Sequence, residues 1–273
     1  MTISSLDQLV SALSAGQSRT TFQKASATAE GAGTWQSLWK TAGRPAAGSN
    51  PPAYTVGSGY IPTDATTGAL RTFTNPSNPL LSYLASASVA GPTVGTLIVY
   101  DRLWTCSGFT TNITTEQSVT TPGSLDRPDA SGDNVEAWGE VYTAPGATTA
   151  TWTLKYKNTN GAASGRTATY THPANAETVG QMFPFIPTNG DTGVSQVTSF
   201  QASVSSGTAG DIGITLMRRL AEIPITAANV GAIVNAFDMG LPQVYDDACL
   251  ALMVQCSTTS TGVLMGSVGF VQG

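Results

Sequence analysis

Of the 273 residues, 41% are hydrophobic, enough to bury a core of ordinary size, which excludes disorder of the whole chain. Only 11% are charged, against about 25% in an average soluble domain, so neutral hydroxyl side chains and backbone must cover the surface, a skin that suits permanent contact with other subunits. The net charge of −5 and the scatter of the 12 Lys and Arg exclude a basic stripe able to displace counterions from nucleic acid.

Residues 1–7 carry no basic region and no apolar run, which predicts a chain made without a secretory signal and kept soluble. The spacing of Ile3, Leu6, Leu9, Val10 and Leu13 predicts a helix over 4–15, with Ser4 and Asp7 as a capping box and Gly16 as its end. A second short helix is predicted over 34–41, where Trp35, Leu38 and Trp39 fall at i, i+3, i+4 and Gly43 and Pro45 give the stop. Residues 44–60 are too rich in Pro and Gly for a regular element and read as an extended arm. Asn78 and Pro79 open a third short helix with Leu80, Leu81 and Leu84 apolar, closed by Gly91 and Pro92. Residues 1–92 thus form a unit of short helices and arm, and residues 93–273 a β domain.

Strand patterns follow over 96–104 and in the Thr-rich run 110–121. Over 134–143, Val135, Ala137, Gly139 and Val141 alternate with Glu136, Trp138, Glu140 and Tyr142, and over 151–157 Trp152, Leu154 and Tyr156 alternate with Thr and Lys. A turn at Asn160-Gly161 leads to a strand over 165–170, and further strands are predicted over 194–204 and 212–220. In 226–239, Val230, Ile233, Val234 and Phe237 fall at helical spacing before Gly240 and Pro242, so a short helix is expected to interrupt the sheet. The apolar segments 248–255 and 263–272 suggest a buried terminal hairpin. The fold class is mainly β, an antiparallel β-sandwich or jelly roll with short N-terminal helices and an extended arm.

Candidate chemistry is sparse. His172, the only histidine, precedes Pro173 and rules against a His-dependent triad or multi-His metal site. Asp126, Asp129, Asp133 and Glu136 gather in one loop, but their spacing is not that of an EF-hand, and a solvated acidic loop is the simpler reading. Asp246 and Asp247 would point to opposite faces of a strand and could not act together on one glycosidic bond, and the residues around Ser267 lack the first Gly of a nucleophile elbow. Cys106, Cys249 and Cys256 read as buried thiols, with Cys249 and Cys256 on opposite faces of one strand. The chain is therefore expected not to be an enzyme and to hold no cofactor. Among the aromatics, most read as core, whereas Trp138 shares the more polar face of its strand with Glu136 and Glu140 and is expected at a subunit contact. The candidate interface comprises Trp35, Trp39, Arg44, Pro45, Pro51, Pro52, Tyr54, Tyr60 and Trp138.

The helix over 4–15, the arm over 44–60 and the Thr-rich strands from 96 to 271, with low charge and little titratable chemistry, resemble a structural protein of a tailed double-stranded DNA bacteriophage. The style is closest to head decoration, or cement, proteins. That resemblance implies a homo-oligomer, a trimer, seated on the major capsid protein within a virion assembled in the host cytoplasm, with arms tying neighbours together and no direct contact with nucleic acid or membrane. Other virion components stay open: a tail-tube protein, a carbohydrate-binding fibre or spike protein, or a major capsid protein, the last disfavoured because no long spine helix is readable.

Overall fold

The structure is a computed structural model that describes residues 2–25, 31–55, 58–70, 76–77, 80–119, 123–127, 131–161, 165–174, 177–259 and 262–273. Its elements in chain order are α1 (Leu6–Ser14), β1 (Ser18–Ala25), β2 (Trp35–Ser37), β3 (Gly43–Arg44), β4 (Ser82–Ala90), β5 (Gly95–Phe109), β6 (Gln117–Ser118), β7 (Glu136–Thr143), β8 (Ala150–Asn158), β9 (Arg166–His172), β10 (Gln181–Phe185), β11 (Val194–Ala202), β12 (Asp211–Ile225), β13 (Ala232–Asn235), α2 (Ala236–Met239), β14 (Gln243–Val244), β15 (Leu250–Cys256) and β16 (Val263–Gln272). The fold is mainly β and antiparallel, with a small N-terminal helix.

Three sheets make up the body. A closed barrel runs β10-β2-β15-β5-β12-β7; a six-stranded sheet runs β13-β4-β16-β1-β3 with β14 beside β4; a four-stranded sheet runs β6-β11-β8-β9. The 15-residue strands β5 and β12 pair along nearly their whole length and carry both flanking sheets on the outside of the barrel. Toward one end Leu97, Val99, Ile223 and Leu250 meet Phe22, Leu84, Val89, Val268 and Phe270 of the six-stranded sheet. Toward the other, Phe109, Val141, Ile212 and Ile214 meet Trp152, Leu154, Val197 and Phe200 of the four-stranded sheet. Two sandwich cores thus share one barrel, each held by removal of apolar area from water at roughly 25 cal/mol per Å².

Helix α1 forms as its spacing predicts, with the cap one residue later: Ser5 Oγ accepts from Gln8 N, and the Gln8 side chain returns a bond to the Ser5 backbone. Leu9 and Ala12 are buried, and Ala12 packs with Tyr83, Ala85 and Val271.

The helix expected over 34–41 is instead β2, which pairs with β10 and β15 and closes the barrel. Leu38 and Trp39, adjacent in sequence, bury in different cores, as extended chain requires and a helix would not allow. The helix expected from Asn78 is the strand β4; Asn78 and Pro79 lie outside the described residues, and pairing with β13, β14 and β16 decides the state of an Ala- and Leu-rich segment against its local propensity. Among the described residues of the run 110–121, only Gln117 and Ser118 form a strand, β6, and Gln117 turns its amide back onto Thr110, accepting from Thr110 N at 2.9 Å and donating to Thr110 O at 2.7 Å. The last two strands are not a hairpin: β15 belongs to the barrel and β16 to the six-stranded sheet.

Of the expected arm 44–60, Arg44 ends β3 and the described residues after it are irregular, as the Pro and Gly content predicts, but residues 51–55 and Tyr60 lie along β5 rather than away from the body. Ser107 N donates to Pro52 O at 2.9 Å, Tyr60 and Thr105 exchange backbone bonds at 2.9 and 3.0 Å, and Tyr54 stacks on Phe109 at 4.7 Å between ring centres. Nor does hydrogen bonding break near residue 92: β1 and β4 pair with β16, and β2 with β15.

Candidate interaction surface

The polar face read from β7 points into the barrel. Ile98, Tyr100, Trp138, Met182, Met217, Ala251 and Met253, from five barrel strands, meet in one cluster, which only the interior can bring together. Among them Arg102 and Glu140, both fully buried, pair at 2.6 Å, and the Tyr142 hydroxyl accepts from Arg102 at 2.6 Å and donates to Glu140 at 2.6 Å. The Arg102 guanidinium also lies 4.7 Å from the centre of the Trp39 ring. Burial by itself would raise the Glu140 carboxyl; the charge of Arg102, with hydrogen bonds from Ser37 and Tyr142, holds it below its ordinary value. Burial would likewise lower Arg102, and Glu140 keeps it well above its usual range.

Other charges are also spent inside. Arg127 grips Asp101 through two bonds at 2.9 and 3.0 Å and donates to Pro62 O at 2.7 Å, tying the loop before β4 to β5. The Nζ of Lys24 donates to Thr41 O at 2.9 Å and Pro45 O at 3.0 Å, and burial lowers its pKa to about 8. His172 stacks on Trp152 at 4.4 Å, its Nε2 donates to the Gly146 carbonyl at 2.7 Å, and its Nδ1 faces the Glu177 carboxylate. The three cysteines are buried thiols; Cys249 and Cys256 fall in different clusters, on opposite faces as expected, and burial pushes the Cys249 thiol up to about 12.

The expected interface residues fall into two groups. Trp138 is 1% exposed inside the barrel, so it presents no free surface; its Nε1 donates to Glu136 at 2.8 Å, Trp35 meets it edge-on at 6.1 Å, and Arg219 covers it 5.6 Å away. Trp39 and Pro51 are buried, with Trp39 Nε1 donating to Ser49 O at 2.9 Å, and Trp35, Pro45 and Tyr54 are half-buried. Arg44, Pro52 and Tyr60 are exposed. Of the acidic loop, Asp126 and Asp133 are exposed and Asp129 lies outside the described residues; among the described residues no three metal-ligating side chains converge. No helix is long and apolar enough to cross a membrane among the described residues.

What sequence reasoning missed is the outer face and rim of the six-stranded sheet. Of the segment 226–239, residues 232–235 form the strand β13 and only Ala236–Met239 the expected short helix, α2, which ends at Gly240. Ala232 and Val234 turn inward against the core, whereas Val230, Ile233 and Phe237 are 55, 69 and 73% exposed. Across the outer face Ile233 stands opposite Ser88, Ser88 opposite Ser267, and Ser267 opposite Thr21. The next row is Ala90, Met265, Gln23 and Arg44, with Met265 50% exposed. A shallow trough of about 720 Å³ overlies these small side chains. The available signal was the β-branched pair Ile233-Val234, which suits a strand better than a helix.

No family model matches the chain, and no curated protein matches it. Among solved structures it aligns with the VP2 subviral particle of infectious bursal disease virus at 10% identity, over 94% of this chain and 80% of that one, with a TM-score of 0.21. It also aligns with T=1 particles derived from a mutant VP2 of the same virus, at 11% identity over 94% and 77%, with a TM-score of 0.17. At such scores the two chain traces diverge through most of their length.

Proposed function

We propose that this chain is a structural protein of a virus particle, of the head decoration or cement type of tailed double-stranded DNA bacteriophages, acting by subunit contact alone. The observation that carries the reading is the rim of Val230, Ile233, Phe237 and Met265 beside a hydroxyl-lined sheet face, in a chain with only 11% charged residues. Exposed apolar side chains beside a hydroxyl-lined face mark a surface that expects a neighbour. The buried pairs Arg102–Glu140 and Arg127–Asp101 support it, because they turn scarce charge inward and leave the outside to Ser, Thr and backbone. Its partners in this reading are further copies of itself, as a trimer, and the major capsid protein.

The test uses particles of the virus that encodes the chain, with its gene deleted. Purified protein added back should bind the heads in a fixed ratio to capsid subunits and raise the temperature at which they release their genome. Binding confined to tails, or none, refutes the decoration role.

A further inference from the structure

We propose that β13 is a seam along which two copies of this chain join, antiparallel and about a twofold axis near Ile233, so that their six-stranded sheets become one continuous sheet. The inference rests on the reading of the chain as an assembling structural protein and names the partner of its exposed rim.

β13 ends its sheet. It pairs with β4 on one side, and among the described residues no backbone group pairs with its other edge. Natural proteins blunt such an edge with Lys, Pro, a bulge or an inward-pointing charge, because its open N–H and C=O groups template further pairing. The segment Ala232-Ile233-Val234-Asn235 limits its edge by length alone, at four residues, carries no Lys, Pro, bulge or charge, and pairs with β4 without a register shift. It is flanked instead by exposed Val230 and Phe237. Ala232 and Val234 lie against the core, and Ile233 points outward beside Asn235, whose side chain is turned to capping α2. A strand added at this edge would therefore extend the buried layer and the outer face together.

A second copy fits because an antiparallel edge is complementary to itself under twofold rotation. The segment bears no charge, so two copies meet without repulsion there. The nearest carboxylate, Asp238, is occupied in capping α2, where it accepts from Asn235 N at 2.9 Å. Arg19 and Arg44 lie on β1 and β3, at the far side of the sheet. With the axis at Ile233, that side chain faces the partner's Ile233 on the outer face, a β-branched cross-strand pair.

The experiment measures the solution mass of the full chain and of Ile233→Lys by light scattering. The Ile233 side chain is mostly in solvent, so the variant keeps its fold, which circular dichroism checks. The expected result is a halving of the mass, whether the unit joined is a monomer or a trimer. A second variant, Ile233→Cys, should form a covalent pair under mild oxidation, since the chain's own cysteines are buried. An unchanged mass, or the absence of a covalent pair, overturns the seam. If Ile233→Lys keeps its mass but no longer binds particles, the edge receives a different virion protein and the twofold pairing is wrong. A chain that pairs through Ile233 but never binds particles overturns the decoration role and leaves the seam standing.

Discussion

Removing Glu140 should expose how much of this fold hangs on one buried charge pair. In Glu140→Leu the Arg102 guanidinium stays fully buried and loses its anionic partner and the 2.6 Å bond to Oε2. It keeps the Tyr142 hydroxyl at 2.6 Å, Thr105 Oγ1 at 3.2 Å and the face of Trp39, none of which carries a charge. Breaking a buried pair by removing one partner costs about 3–5 kcal/mol, because the surviving charge remains desolvated. At roughly 2–4 °C per kcal/mol for a chain of this size, the melting temperature should fall by about 10 °C. The double variant Arg102→Met/Glu140→Leu removes both charges and fills their volume with apolar atoms, so it should recover to within about 1–2 kcal/mol of the parent. Urea unfolding followed by tryptophan fluorescence measures all three chains. The reasoning fails if Glu140→Leu loses less than about 1 kcal/mol, or if the double variant is no more stable than the single one.

Lys24 makes stability depend on pH in the alkaline range: its pKa falls from 10.5 to about 8 on folding, so between these values the unfolded chain holds a proton that the folded chain has released. The Lys24 contribution should therefore be level below pH 8 and grow by up to about 3 kcal/mol between pH 8 and 10.5; it reads as the difference in urea midpoints between the parent and Lys24→Met, because the buried Cys106 and Cys249 thiols, raised above their ordinary value of 9, draw the stability of both chains down over part of the same range. Deleting residues 1–60 removes β1, β2 and β3, opening the barrel between β10 and β15, so the remainder should show no cooperative thermal transition; a sharp melt of the truncated chain would mean that residues 61–273 fold by themselves. A thiol reagent should find none of the three cysteines in the native protein and all of them in urea, because each is buried; rapid native labelling would place at least one outside its core.

Much of the β-rich character was legible because alternation is local. The period of two over β7 and β8 and the turn after Asn158 needed only neighbouring residues to be read. The capping box of α1 was legible to within a residue for the same reason. The helices expected at 34–41 and 78–91 failed, and of the one expected at 226–239 only its last turn, α2, formed, with Gly240 as its stop. Three or four apolar residues in a short window fit both a helical and an extended spacing, and the choice falls to whichever strand lies alongside. For β2 and β4 those partners are β15 and β16, nearly 200 residues away in the chain.

The polar residues of β7 show the same limit at the candidate site. Glu136, Trp138, Glu140 and Tyr142 alternate as a solvent-facing row would, yet from Trp138 onward they line a closed barrel, where Arg102 from another strand neutralises Glu140. A sequence shows which residues share a face, but not whether that face meets water or five other strands. The exposed rim was hidden for the complementary reason, since Val230, Ile233 and Phe237 look like a core stripe until the edge of the sheet is located.

By itself, the sequence determined that the chain is mainly β, that it has a capped N-terminal helix, that its charge is too scarce to cover its surface, and that its cysteines are inward groups. These follow from composition and from contacts within a few residues. Tertiary structure alone decided that the strands close into a barrel shared by two sandwich cores, that residues 51–55 and Tyr60 lie along β5, and that β13 is left as an open edge. Each of those depends on pairing between distant segments, where the free energy comes from joint burial and the local pattern carries no record of the partner.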